Sequence, residues 1–172
     1  MALPDYTFLE AGSTVTWSTT GDKTLTLTSL ANAGVREGGK SSTLVDGTKG
    51  MPEELEFRLE SAVGSAATQD RAIVLYIGES DSGTAGTNNP AQLTGADAGV
   101  TNGLELLGQL NFAGALILSN ATGTSVQKAR IRYCPTQPFI IPVIVNDSGQ
   151  TLSATAGNHQ LVMTPFYRKH AD

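Results

Sequence analysis

The feature that most constrains this chain is the run Ala129–Asn146, ARIRYCPTQPFIIPVIVN. In its first part Ala129, Ile131 and Tyr133 alternate with Arg130 and Arg132, which sends apolar and cationic side chains to opposite faces of a strand. After a corner at Pro135–Pro138, the residues from Phe139 to Val145 are almost all apolar, which suits a strand covered on both faces. A chain carrying such a strand needs other strands around it, and the rest of the sequence is written in the same period.

Val15 and Trp17 share one face of a segment over residues 13–18. After a turn at Thr20-Gly21-Asp22, Leu25 and Leu27 point inward from residues 23–28, and the two segments read as a hairpin. Leu55, Phe57 and Leu59 face in from residues 53–63, with Glu54, Glu56, Arg58 and Glu60 facing out. Residues 64–70 read as a hairpin-like loop to a more buried strand over 71–77. A short helical turn is expected over 104–107, then a strand over 110–119 in which Gly114 marks a bulge or a close backbone approach. Thr122-Gly123, Asp147-Ser148-Gly149 and Gly157-Asn158 are turn signals, and strands follow over 125–133, 150–155 and 159–166. About nine strands and no long helix predict one all-β domain over residues 1–172, a jelly-roll-like antiparallel β-sandwich with two long loops and extended terminal segments. The loops span residues 29–50 and 78–103; segments this long without a period are functional or are ordered by a partner.

Composition narrows the function. Net charge is −5, which argues against a general nucleic-acid binder. Residues 1–105 carry a balance of −8 and residues 106–172 one of +3, a polarity that can order molecules in an assembly. Only 16% of residues are charged; a surface that meets other protein and a surface covered by Ser, Thr and Asn both account for this. The lone Cys134 allows no internal disulfide. No apolar segment approaches membrane-spanning length and the N-terminus lacks the pattern of a secretion signal, so a protein made in a reducing cytoplasm fits best.

Gly34-Val35-Arg36-Glu37-Gly38-Gly39-Lys40-Ser41 matches the phosphate-cradling pattern G-x-x-x-x-G-K-[ST]. That chemistry needs a helix N-terminus after the loop, and SSTLVDGTKG does not supply one, so the match reads as a surface loop. Lys128, Arg130 and Arg132 form a cationic stripe, and Glu54, Glu56 and Glu60 an acidic one; the stripes pair if their strands are neighbours, and the cations meet an acidic partner if they are not. Glu79, Asp81 and Asp97 lack the order of a Ca²⁺ loop. His159 and His170 stand apart and Cys134 has no histidine nearby, so no metal, cofactor or catalytic residue is expected. Asn120-Ala121-Thr122 and Asn146-Asp147-Ser148 are chance matches to a glycosylation acceptor.

Four phrases taken together, Leu25–Lys40, Asn88–Gly99, Leu110–Asn120 and Pro142–Phe166, resemble small proteins encoded among the virion-structure genes of tailed bacteriophages. The resemblance implies a capsid decoration or cement protein, made in the host cytoplasm, that binds the outer surface of the major capsid protein and ties its subunits together. A homotrimer is compatible with it. It implies no catalytic residue, cofactor, nucleic acid or membrane. Contacts are expected from the two loops and the termini, with Arg36, Lys40, Asn88, Asn89, Lys128, Arg130 and Arg132 as partner-binding residues. The alternative is a head-fibre or tail component that binds carbohydrate, which would need Trp17, Tyr76, Tyr133 or Tyr167 exposed.

Overall fold

The computed structural model describes residues 7–65, 71–101, 103–119 and 125–170. Among these residues eleven strands form two sheets: β1 (Thr7–Ala11), β2 (Val15–Ser18), β3 (Lys23–Thr24), β4 (Val35–Glu37), β5 (Glu54–Ser61), β6 (Ala72–Ser80), β7 (Ala98–Gly99), β8 (Asn111–Ile117), β9 (Gln127–Tyr133), β10 (Phe139–Asp147) and β11 (Gln160–His170). The first sheet runs β3-β2-β11-β5-β9, with β1 also paired to β11, and the second runs β7-β4-β10-β6-β8. The expected all-β sandwich is therefore present.

Trp17, Phe57, Leu59, Leu75, Ile77, Ile140, Ile144 and Leu161 form part of the core between the sheets. The apolar run of β10 is covered on both sides, as its composition requires. Ile140 and Ile144 enter that core, while Ile141, Val143 and Val145 enter a second cluster with Ala91 and Leu93 on the outer side of the second sheet. The residue 78–103 insertion supplies that cover. The cover also explains Gly78: a β-carbon there would lie 2.7 Å from Leu93 Cδ1.

Two strand prolines are accommodated by the same device. In an antiparallel strand a residue's N–H and C=O point to the same side. Pro142 accepts from Gly38 N, just past the end of β4, and Pro165 accepts from Gly12 N, in the gap between β1 and β2. Each missing N–H therefore falls where the ladder is already interrupted.

Several expectations are corrected. β2 and β3 are parallel, not a hairpin, because Asp22 accepts the Thr16 N–H and folds the intervening turn back on the strand. Leu25 and Leu27 are buried as expected, though outside any strand. β5 and β6 lie in different sheets, so their connection is a crossover and not a hairpin; residues 66–70 within it lie outside the described residues. The residue 29–50 segment is not all loop, since it contributes β4 beside β10. Residues 150–155 form only an isolated bridge, Leu152 to Val63. Glu60 lies on the outer face but is buried, flanked by Arg58 and Lys128. The turn at Thr122-Gly123, the acceptor at Asn120, the His170 side chain and the terminal residues 1–6 and 171–172 lie outside the described residues.

Other expectations hold. Gly103–Leu106 forms a short helix, α1. Register shifts at Leu75/Tyr76 opposite Gly114 and Phe112, leaving Ala113 as the extra residue of a bulge. A β-carbon on Gly114 would also lie 2.9 Å from Ile131, so the glycine serves both purposes that its position suggested.

Candidate functional site

Four of the seven expected contact residues, Arg36, Lys40, Asn88 and Asn89, come together where β4 meets the long insertion. Arg36 and Lys40 take internal partners from the insertion, and Asn88 and Asn89 are each bonded within their own loop. The segment from Val35 to Lys40 acts as a hook that grips residues 80–97 at successive points.

Lys40 is 5% exposed. Its Nζ donates to the Ser80 hydroxyl at 3.1 Å and to the backbone carbonyls of Ser82, Thr84 and Thr87 at 2.7, 2.9 and 3.1 Å. Burial pulls the Lys40 pKa below the ordinary lysine value, and the nearby Asp81 carboxylate opposes that pull. Its reading as a surface contact is corrected: the ammonium is spent on shaping its own loop. The same geometry disposes of the phosphate-loop pattern. A phosphate cradle needs its lysine free to face an anion, and here the cation already faces carbonyl oxygens.

Glu37, 2% exposed, holds the far end of the loop. Its carboxylate accepts from Thr94 N at 2.9 Å, Thr94 Oγ1 at 2.8 Å and Gly95 N at 3.1 Å. The Lys40 amide donates to Gly95 O between these two clamps. Arg36 Nε donates to Asp97 at 2.7 Å, and Asp97 also accepts from Thr26 N and Thr26 Oγ1. Burial pushes the Asp97 carboxyl up, but the bonds from Arg36 and Thr26 outweigh it and hold the group below the usual carboxylate range.

The backbone between the clamps is bent hard. Asn88, Ala91 and Gln92 have φ of 52°, 52° and 55°, left-handed conformations that non-glycine residues adopt only when their surroundings impose them. Asn88 Nδ2 donates to Asp81 and Asn89 Nδ2 to the Leu93 carbonyl, bracing the bend from both sides. The outcome is an exposed tip, Gly83–Asn88, on a base fixed by one buried cation and one buried carboxylate.

Glu37, Thr94 and Ser80 were not singled out by the sequence reading. The available signal was parity: Glu37 falls on the same strand face as Val35, where an apolar residue is expected, so a carboxylate there needs buried donors.

Lys128, Arg130 and Arg132 lie elsewhere, on the outer face of the first sheet. β9 is the neighbour of β5, and the two stripes pair: Lys128 with Glu60 at 3.1 Å, Arg130 with Glu56 at 3.1 Å and Arg132 with Glu54 at 3.5 Å. Arg58 stands directly opposite Arg130, and a pair along β5 with Glu60 and a diagonal one from Arg130 to Glu56 relieve that like-charge contact. Of the two readings, pairing across the sheet is the one realised.

Elsewhere Cys134 is an exposed free thiol, while His159 and Glu79 are committed to the fold. Ser61 Oγ donates to His159 Nδ1 and His159 Nε2–H donates to the Ser153 carbonyl, each at 2.8 Å, which makes His159 the neutral Nε2 tautomer. Both residues are buried, and burial lowers the histidine pKa against the opposing effect of the Ser153 carbonyl. Glu79 accepts from the Thr136 amide and hydroxyl. Among the described residues no three His, Cys, Asp or Glu gather as a metal group would require, and no helix is long and apolar enough to cross a membrane. Trp17 is fully buried with its Nε1 on the Gly39 carbonyl, and Tyr167 is buried with its hydroxyl on the Leu44 carbonyl, so neither offers an open platform for a sugar.

No family model matches the chain, and neither a curated protein nor a solved structure is significantly similar to it.

Proposed function

We propose that this chain is a structural protein of a tailed-phage virion, a decoration or cement protein that binds the outer surface of the major capsid shell, and that its sandwich is a jelly roll. Strand order supports the jelly roll. Setting aside β1 and the two-residue strands, the rows are β2-β11-β5-β9 and β4-β10-β6-β8, the interleaving that two nested Greek keys produce. The four phrases that resemble virion proteins lie across this fold, one of them on the hook and another on the clamped loop.

The observation that carries the contact role is the expenditure of two buried charges, Lys40 and Glu37, on an exposed loop. A protein that works by chemistry directs such groups into a cleft; here they fix the shape of a surface. A fixed loop loses little conformational freedom on docking. Repetition of weak contacts over many copies then gives strong retention. Such a protein needs no cofactor and is not an enzyme.

Purified particles sedimented through a gradient and analysed by mass spectrometry should contain this chain in fixed ratio to the shell subunit. Its absence from clean particles ends the proposal. Replacement of the tip residues Thr84–Asn88 by a Gly/Ser stretch should lower its occupancy on the shell while leaving the isolated protein folded.

A further inference from the structure

The five edge strands of the described sheets are not protected alike. β1, paired to β11 alone, carries Glu10, which meets Lys49 and Lys169. β3 and β7 are two residues long, too short to template another strand. β9 carries Lys128, Arg130 and Arg132, and cations on an edge strand discourage pairing. β8 is seven residues long, contains no proline and lies in an uncharged stretch from Leu106 to Gln127. Phe112 and Ile117 on it are 62% and 64% exposed.

The backbone of β8 is open on one side. Leu118 N donates to Arg71 O, so Leu118 and, two residues back, Leu116 direct their polar groups toward β6. Ala115 and Ile117 therefore direct theirs the other way, where the sheet has no further strand among the described residues. The Ala113 bulge blunts the N-terminal half of this edge, as bulges on edges do; the half beyond it has no such guard.

We infer that β8 is a self-association edge, and that its occupant is β8 of a second copy of this chain. An antiparallel ladder centred on Leu116 places Ala115 opposite Ile117 of the second copy, and the reverse pair follows by twofold symmetry. Donors and acceptors then match on both strands, the Ile117 side chains leave water, and no charge is buried. An uncharged edge suits an identical uncharged edge, whereas a charged partner strand would have to bury its charges without a counterion here. The second sheets of two copies would join into one continuous sheet. This inference is independent of the shell-binding role.

Hydrogen exchange at two protein concentrations tests it without mutation. The Ala115 and Ile117 amides should slow at least tenfold at the higher concentration, while those of Gly114 and Leu116, already turned toward β6, stay unchanged. Light scattering should report a dimer, and Ile117→Lys, at an exposed position, should weaken it at least tenfold, with Arg130→Ala as the silent control. On a Cys134→Ser background, mixed Ala115→Cys and Ile117→Cys chains should cross-link, and each alone should not. A monomer at every concentration overturns the inference, and so does an association that leaves the Ala115 and Ile117 amides unprotected.

Discussion

The two outer faces of the sandwich solve one problem in opposite ways. On the first sheet, Glu54, Glu56, Arg58 and Glu60 of β5 face Lys128, Arg130 and Arg132 of β9 in an open lattice of charge. On the second, Val143, Val145 and Tyr76 would meet water were it not for Ala91, Leu93 and Val100 of the insertion laid over them. The first face is stable by itself. The second depends on a cover, and the cover depends on buried charges at its rim. The contrast shows that a long loop can be a third layer of the fold.

The sharpest break of that contrast removes an anchor of the cover. Leu93→Ala should destabilise the protein by about 3 kcal/mol through lost burial and a residual cavity, read as a shift in the urea midpoint. Next comes the clamp: Lys40→Met should cost about 2 kcal/mol, because three carbonyls and a hydroxyl lose a charged donor. Proteolysis should then cut within residues 81–88 well before the sandwich unfolds. Smaller is the pH response of His159, which joins the end of β5 to the start of β11. Its folded pKa lies below the unfolded one, so as pH falls from about 6.5 toward the folded value the unfolded state takes up the proton first and stability is lost. His159→Gln should flatten the stability profile across that interval relative to the native protein. Smallest is the open face, where Arg130→Ala should change stability by no more than about 0.5 kcal/mol, since an exposed pair is screened by solvent; a large loss there would erase the distinction between the faces.

The strands were legible where burial and period agree. Leu55, Phe57 and Leu59 are fully buried, and the two charged stripes on β5 and β9 follow from alternation alone, though their pairing does not. The sheet to which each strand belongs was not legible, because period says which side chains point inward and nothing about the partner across the ladder. β5 and β6 look like a hairpin for that reason. The hook was hidden for another. Val35–Glu37 is only three residues long, and its neighbour β10 is more than a hundred positions away in the chain. Arg36, Lys40, Asn88 and Asn89 were marked as outward-reaching because polar residues in glycine-rich stretches usually are. In this molecule Arg36 and Lys40 find partners in another part of the chain, and Asn88 and Asn89 find theirs within their own loop.

Lys40 holds the carbonyls of Ser82, Thr84 and Thr87, and none of their side chains. The grip is therefore indifferent to which amino acids occupy those three positions, provided the chain path is kept. Shape and surface chemistry are thereby separated: relatives of this protein could rewrite the letters of the tip to suit different surfaces while inheriting one rigid scaffold for it.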